Sequence, residues 1–238
     1  VPHRGPYGQP LPTAGLHARA MLEQGLKAWV VIGAEPELDC ANSSAALAAL
    51  NQAECVVMLT PYVTETMRRY AHILLPIAPW SETSGTFINT EGRTQSFAAA
   101  LNAKGEARPA WKVLRVLGNA FDLPGFEQLS SEEVRDELTR LPSASLAPAW
   151  RCPTALRPLE QSLTRLADVP AYAVDGVVRR AEALQRTPDA LSARALRVHP
   201  HTAQHCRLVD GEFAAVQQRG TLINLPVAYD ETVPENCI

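Results

Sequence analysis

The stretch AWVVIG, residues 28–33, decides the fold class, because it is a continuous apolar run rich in β-branched residues. Such a run is typical of a central strand of a parallel sheet, buried on both faces. CVVML at 55–59 and ILL at 73–75 repeat the pattern, and segments of helical character separate the three runs. This β-α-β-α-β order predicts a parallel sheet with helices on both faces, joined by right-handed crossovers.

Working outward from these strands divides the chain into four regions. Residues 1–15 are rich in Pro and Gly and predict a lead-in coil, whereas residues 16–141 hold the α/β domain. Prolines punctuate residues 142–193, which we interpret as a partly helical linker. Residues 194–238 contain three or four strand-like runs, with Pro226 suited to an edge or a bulge. So few strands cannot close a barrel, and we expect an incomplete β-barrel-like domain.

Composition excludes several classes of protein. Hydrophobic residues make up 46% of the 238 residues, which is enough for a folded core. The 22 basic and 25 acidic residues leave a net charge of -3, which argues against a general nucleic-acid binder or membrane-surface binder. No uncharged apolar run reaches the roughly 18 residues of a membrane-spanning helix. We therefore expect no nucleic-acid partner and no direct membrane span.

The cysteines predict reduced thiols rather than a metal site. None of them forms a C-x-x-C pair, as zinc ribbons and iron–sulfur clusters require at short spacing. Cys55 lies inside an apolar strand and is expected in the core rather than as a nucleophile. The five cysteines are Cys40, Cys55, Cys152, Cys206 and Cys237.

The C-terminal histidines allow two interpretations. His201 and His205 stand four residues apart and share one helix face, as zinc ligands can, with His199 before them and Cys206 after them. However, no glutamate follows His201 as in H-E-x-x-H, and Pro200 constrains the turn. The favoured interpretation is a strand-to-helix corner with surface histidines around it.

A turn-rich segment holds the other candidates. Glu82 and Glu91 flank it and could serve as acid and base, but Arg93 can simply pair with Glu91. Gly85 and Gly92 could expose backbone N–H groups to a phosphate, although no G-x-G-x-x-G motif or P-loop occurs. We therefore assign no catalytic, cofactor-binding or metal-binding residue. Trp80, nearby, is a candidate contact residue for a partner protein.

Three longer stretches carry a resemblance to a known family. They are GLHARAMLEQGLKAWVVIGAEPELDCAN at 15–42, LLPIAPWSETSGTFINTEGRTQSF at 74–97 and GEARPAWKVLRVLGNAFDLPGFEQLSSEEVRDEL at 105–138. The middle one resembles the LP, E-x-x-G-T and N-x-E-G-R-x-Q pattern of molybdopterin oxidoreductases. Within that family, the run at 105–126 looks like the large iron–sulfur subunit of the proton-pumping NADH:quinone oxidoreductase, respiratory complex I. The tail from Arg197 to Glu231 is similar to the start of the family's C-terminal β-barrel.

The resemblance implies a Rossmann-like layer of the molybdopterin oxidoreductase fold and a supporting role. The large subunit of complex I carries its iron–sulfur clusters on N-terminal domains, through Cys and His motifs that are missing here. The matching region of that subunit looks like a scaffold that has lost the pterin cofactor. The resemblance thus implies a non-catalytic part of an oxidoreductase and translocase subunit, with no cofactor of its own. Its implied partners are those N-terminal domains and the other subunits of the peripheral arm, on the cytoplasmic side of the bacterial inner membrane.

One local departure and two alternatives accompany this interpretation. Ala71-His72 stands where the family commonly has Ala-Asp. The first alternative is a piece of a catalytic molybdopterin-dependent oxidoreductase, which shares the same motif. The second, from the βαβ rhythm alone, is a nucleotide- or phosphate-binding module.

Overall fold

The computed structural model describes residues 15–139, 163–166, 169–218 and 221–238. The chain folds into two compact units, residues 1–146 and 147–238. The predicted coil at 1–14 and the first part of the predicted linker, up to residue 162, lie outside the described residues. No helix among the described residues is long and apolar enough to cross a membrane.

A three-stranded parallel sheet forms the centre of the first unit. Its strands are β1 (Ala28–Ile32), β2 (Cys55–Thr60) and β3 (Ile73–Pro76), in the order β1-β2-β3. Residues aligned across the sheet share a face, so Val30, Val57 and Ile73 form one row. The prediction of a parallel sheet from the three apolar runs is confirmed.

Short helices connect these strands and pack on one face of the sheet. They are α1 (Ala18–Gln24), α2 (Pro36–Asp39), α3 (Ser43–Gln52) and α4 (Met67–Tyr70). Gly25 ends α1 in the left-handed conformation, and the Asn42 side chain caps α3 by accepting the Ala45 N–H at 3.1 Å. The buried core beneath them contains Leu50, Ala53, Val56, Met58, Met67 and Tyr70.

The prediction of a central, doubly buried β1 is wrong, and the helices that connect the three strands lie on one face of the sheet rather than on both. β1 lies at the edge of the sheet, where Val30 and Ile32 are exposed, and Ile73 of β3 is exposed on the same face. The cause is topological. The strands are added in one direction, and right-handed crossovers then place every connecting helix on the same side.

The rest of the described first unit is a hairpin followed by two helices. The hairpin pairs β4 (Gly85–Ile88) with β5 (Thr94–Phe97), and the helices are α5 (Ala110–Ala120) and α6 (Ser131–Thr139). The Ser130 hydroxyl caps α6 by accepting the Glu133 N–H at 3.1 Å. The Glu133 carboxylate in turn accepts the Leu129 N–H at 2.7 Å, in a near relative of the capping box.

The second unit contains a small mixed sheet and short helices. Its elements are α7 (Glu182–Gln185), α8 (Pro188–Ser192), β6 (Leu196–Val198), α9 (Pro200–Cys206), β7 (Phe213–Gln218) and β8 (Thr221–Tyr229). Two 3₁₀ turns, Ala171–Ala173 and Val178–Arg180, precede α7. The buried core of this unit consists of Leu196, Val198, Ala203 and Val227.

The described strands of this unit form a three-stranded sheet and not a closed barrel. Their order is β6-β8-β7, with β6 parallel and β7 antiparallel to β8, and the sheet stays open. Pro226 lies in the middle strand rather than at an edge. It is tolerated because pairing with β6 begins only at the next residue, where Val227 aligns with Leu196.

Candidate functional site

The carboxyl edge of the parallel sheet is the first place to look for a ligand site, since open α/β sheets bind ligands there. β1 leaves the sheet at Gly33, which has a φ of 64° and donates its N–H to the Leu59 carbonyl at 2.8 Å. Glu35 then follows, and its side chain is buried, with only 4% exposed. Pro36 opens α2 at a position where a missing N–H costs nothing.

Glu37 is the centre of a polar network at this edge. Its Oε1 accepts the Thr64 hydroxyl at 2.6 Å, and its Oε2 accepts the Tyr70 hydroxyl at 2.9 Å. Thr64 Oγ1 also accepts the Met67 N–H at 2.9 Å, at the start of α4. The carboxylate therefore ties the β1–α2 connection to α4, across 27 and 33 residues of sequence.

The pKa values of two groups at this edge, Tyr70 and Cys40, are raised, so both groups keep their protons. Burial, followed by the hydrogen bond to Glu37, raises the pKa of Tyr70 far above its usual range. The pKa of the Cys40 thiol is also raised, first by burial and then by the charges of Asp39 and Glu37. Tyr70 is thus a lasting hydrogen-bond donor, and Cys40 is a thiol rather than a nucleophilic thiolate.

Other donors at this edge are also paired within the chain. The Asp39 carboxylate accepts the Glu35 N–H at 2.6 Å, which caps α2 from within. At the end of β2, the buried Thr60 hydroxyl donates to the Tyr62 carbonyl at 2.6 Å and accepts the Tyr62 N–H at 3.2 Å. The turns after β1 and β2 are therefore fixed by their own side chains.

The hairpin shows what the E-x-x-G-T and N-x-E-G-R residues do. The Glu82 carboxylate accepts the Lys104 N–H at 3.1 Å. A Cβ on Gly85 would lie 2.9 Å from the Phe97 ring, so glycine lets that ring rest on the backbone. Asn89 Oδ1 accepts the N–H groups of Glu91 at 3.0 Å and Arg93 at 2.9 Å. The motif residues thus build and close the hairpin.

The ion pair suggested for Glu91 and Arg93 is not seen. Both residues are exposed, and they form no ion pair with each other. The described contact of the Glu91 carboxylate is a long one, 3.5 Å from Asn89 Nδ2. Gly92, with a φ of 81°, supplies the left-handed residue of the turn. The expected pairing fails because the Asn89-centred turn holds the backbone without it.

The C-terminal histidines form a strand-to-helix corner, as favoured from the sequence. His199 Nδ1 accepts the His201 N–H at 3.2 Å and so caps α9. The His201 and His205 rings meet edge to face, 4.7 Å apart between centroids. His201 Nδ1 lies 3.1 Å from a carboxylate oxygen of Glu235. Across the described residues, no group of three or more His, Cys, Asp or Glu side chains has the geometry to hold a metal ion.

Sequence reasoning placed some of the remaining side chains and missed others. Trp80 is 56% exposed, as expected, whereas Cys55 lies half-buried in β2 and is not part of the buried core, contrary to expectation. His72 has a role that was missed: its Nδ1 accepts the N–H of the fully buried Val56 at 3.0 Å. An aspartate oxygen could accept the same bond, which explains why His72 fits there. No motif marked Glu37, and only its position just after a strand end could have.

Comparison with known proteins assigns part of the chain to a family. The family model for molybdopterin oxidoreductase matches residues 9–120. This region is a molybdopterin oxidoreductase family domain. The match contains the parallel sheet, the Glu37 network, the hairpin and α5.

Curated relatives of the domain differ in function. A subunit of the NADH-quinone oxidoreductase of Streptomyces coelicolor is 31% identical over 97% of this chain and 27% of its own length. F420-dependent formate dehydrogenase 2 subunit alpha of Methanococcus maripaludis is 32% identical over 47% of the chain and 16% of its own length. Nitrate reductase of Synechocystis is 28% identical over 52% of the chain and 20% of its own length. The chain spans about a quarter of the Streptomyces protein and less of the others.

A solved structure confirms the fold over more of the chain. Acetylene hydratase from Pelobacter acetylenicus superposes with a TM-score of 0.62 over 92% of this chain and 38% of its own. The two sequences are 18% identical, so the likeness concerns the fold alone.

The carboxyl edge does not fit the phosphates of a pterin nucleotide cofactor. Phosphate groups are bound by free N–H and hydroxyl donors or by cations. Here the Thr64 and Tyr70 hydroxyls and the Glu35 N–H already donate to carboxylates of the chain itself. A phosphate at this edge would meet the carboxylates of Glu37 and Asp39 and would have to displace them from their donors.

Proposed function

We propose that this chain is part of the large iron–sulfur subunit of an NADH:quinone oxidoreductase. In this proposal it is a scaffold that supports electron transfer from NADH to quinone and carries no redox centre itself. The observation that carries the proposal is the extent of similarity. The NADH-quinone oxidoreductase subunit of Streptomyces coelicolor aligns with 97% of the chain, whereas the formate dehydrogenase and the nitrate reductase align with about half.

The contacts of the domain favour a supporting role. The motif residues Glu82, Gly85 and Asn89 stabilise the hairpin and the segments beside it. At the carboxyl edge, the Thr64 and Tyr70 hydroxyls donate to the Glu37 carboxylate. A domain whose polar groups hold its own backbone is suited to packing against neighbouring domains.

The proposal specifies where the chemistry and the partners lie. The iron–sulfur clusters belong to other domains of the parent polypeptide, and this region binds no pterin. Its partners are those domains and other subunits of the hydrophilic arm. The assembly lies on the cytoplasmic face of a bacterial inner membrane, and the whole subunit acts as part of a translocase.

Affinity purification from the native organism tests the assignment. An affinity tag on the polypeptide encoded by the complete reading frame should co-purify NADH:quinone oxidoreductase activity and iron. The untagged strain is the control for background activity. Co-purification of formate- or nitrate-dependent activity, with no NADH:quinone activity, would contradict the proposal.

A catalytic molybdopterin enzyme is the second candidate. It is favoured by the formate dehydrogenase relative, which is as similar as the Streptomyces subunit where it aligns, with 32% identity over 114 residues. The two candidates predict different metals in the purified polypeptide. Molybdenum with a bound pterin indicates the catalytic enzyme, whereas iron without molybdenum indicates the supporting subunit.

A further inference from the structure

His72 joins the amino ends of β2 and β3 through two hydrogen bonds to one residue. Its backbone N–H donates to the Val56 carbonyl at 2.9 Å, and its ring Nδ1 accepts the Val56 N–H at 3.0 Å. Val56 is fully buried, whereas His72 is exposed. The ring therefore supplies a hydrogen-bond acceptor to a buried backbone group, one residue before β3 begins.

Only the neutral ring can form the bond at Nδ1. In a neutral imidazole one nitrogen carries a hydrogen and the other accepts, whereas both nitrogens donate in the imidazolium ion. The bond from Val56 therefore requires the tautomer with its hydrogen on Nε2. A proton added to Nδ1 would face the Val56 N–H, so the bond would break and the buried N–H would lose this acceptor. A buried donor that loses its acceptor destabilises the folded state.

The charged groups around His72 are paired elsewhere or do not contact its ring. The ionisable side chains on the segments that meet at this edge are those of Lys27, Glu54, Cys55, Arg68, Arg69 and Tyr70. Lys27 pairs with Glu54 at 2.9 Å, and Arg68 pairs with Glu65. In the described part of the chain, none of these side chains forms a hydrogen bond or an ion pair with the His72 ring. Histidine is also the side chain that ordinarily changes charge between pH 5 and 8, so titration at this edge in that range belongs to His72.

We propose that the two bonds between His72 and Val56 form a pH-sensitive latch on β3, which is closed when His72 is neutral and opened by its protonation. β3 is only four residues long, and it pairs with β2 from Ile73 to Pro76. The ring bond extends this short pairing at its amino end, so its loss frees the start of the strand. The latch is independent of the proposed function, since it rests only on the contacts of His72.

The latch makes the folded state less stable in acid. The unfolded chain lacks the bond and takes up a proton at His72 freely, whereas the folded chain must break the bond first. The folded state therefore binds fewer protons, and its stability falls as the pH falls. The contribution of the latch is complete above the ordinary range of histidine titration, about pH 6.5, and is lost below it. Loss of one such bond corresponds to about a fivefold change in the equilibrium constant of unfolding.

Urea unfolding of the 238-residue chain at pH 7.5 and pH 5.5 tests the latch. His72→Asn is the informative variant, because the asparagine Oδ1 takes the position of Nδ1 and accepts the same bond without titrating. Between the two pH values, the unfolding constant of the wild type should rise about fivefold more than that of His72→Asn. His17→Asn is the matched control, since His17 Nδ1 also accepts a backbone N–H, from Ala20 at 3.2 Å, but at an exposed helix end. That variant should keep the pH dependence of the wild type.

Nuclear magnetic resonance of the nitrogen-15-labelled wild type gives a second readout that does not depend on a variant folding. The His72 ring should carry its hydrogen on Nε2 at pH 8, and the Val56 amide signal should move together with the titration of that ring. A hydrogen on Nδ1 at pH 8, or a Val56 signal that ignores the titration, would overturn the proposal. Equal pH dependence of wild type and His72→Asn, or a loss of that dependence in His17→Asn as large as in His72→Asn, would overturn it too.

Discussion

The hairpin of β4 and β5 and the carboxyl edge of the parallel sheet differ in how far their sequences predict their contacts. The hairpin carries the recognisable family motif, yet the contacts of its Asn89 turn are local and exposed. The carboxyl edge has no motif that sequence reasoning singled out. It nevertheless holds the Glu37 carboxylate between hydroxyls from distant parts of the chain.

The difference teaches that a sequence motif reveals local backbone structure, whereas a partly buried polar network depends on the tertiary fold. A motif such as N-x-E-G-R fixes a backbone turn, which local spacing reveals. The Glu37 network depends on which strand ends meet in the fold, and spacing alone does not reveal that. Loss of the Glu37 hydrogen bonds should accordingly destabilise the fold more than loss of the Asn89 turn bonds, because partly buried hydrogen bonds to a charged group are worth more than exposed neutral ones.

Replacing Glu37 by alanine should have the largest effect. It removes two hydrogen bonds to a carboxylate and leaves the Thr64 and Tyr70 hydroxyls without their acceptor. We expect a loss of about 3 kcal/mol in the free energy of unfolding, measured by urea denaturation. Glu54→Ala is the control, because Glu54 forms an exposed ion pair with Lys27, and its loss should cost less than about 1 kcal/mol. Equal losses of stability for Glu37→Ala and Glu54→Ala would contradict the greater contribution assigned to the Glu37 network.

Tyr70→Phe should cost about half as much, because Thr64 still contacts Glu37. The two proteins should also respond differently to alkali. The pKa of Tyr70 is raised in the folded state, so its contribution is complete below the ordinary tyrosine pKa of about 10 and is lost as pH rises above it. The stability difference between wild type and variant should therefore be constant from pH 7 to about 10 and narrow from there to pH 11, without vanishing, because the pKa of the folded state lies higher still. A constant difference across that range would contradict the assigned role of Tyr70.

Asn89→Ala should have a smaller effect, of about 1 kcal/mol, since both bonds that it removes lie on an exposed turn. Amide hydrogen exchange should show faster exchange at Glu91 and Arg93. Asn89→Asp keeps the accepting oxygen and should restore protection. If the aspartate variant exchanges as fast as the alanine variant, Asn89 does not hold the turn in the way described.

Arg93→Gln should have the smallest effect, within about 0.5 kcal/mol, because its exposed side chain forms no ion pair with Glu91. Thermal unfolding of the chain provides the measurement. A clear destabilisation would mean that the hairpin tip depends on an ionic contact.

Much of the fold was predictable from the sequence, because strands and caps are local signals. The runs at 28–32 and 55–60 are examples, and Asn42 and Gly25 are residue types that commonly begin and end helices. The exposure of Val30, Ile32 and Ile73 was not predictable, because an apolar strand has the same sequence pattern whether or not that side is covered. The role of Glu37 was not predictable either, since Thr64 and Tyr70 reach it only through the tertiary fold.

Metal and pterin analysis of the polypeptide from the complete reading frame, purified from its native organism, tests the central claim most directly. A supporting domain of the large iron–sulfur subunit predicts iron in stoichiometric amount, with neither molybdenum nor a pterin released on denaturation. One molybdenum and its pterin per polypeptide would contradict the account. The Glu37 network would then have to be reinterpreted as part of a working cofactor site.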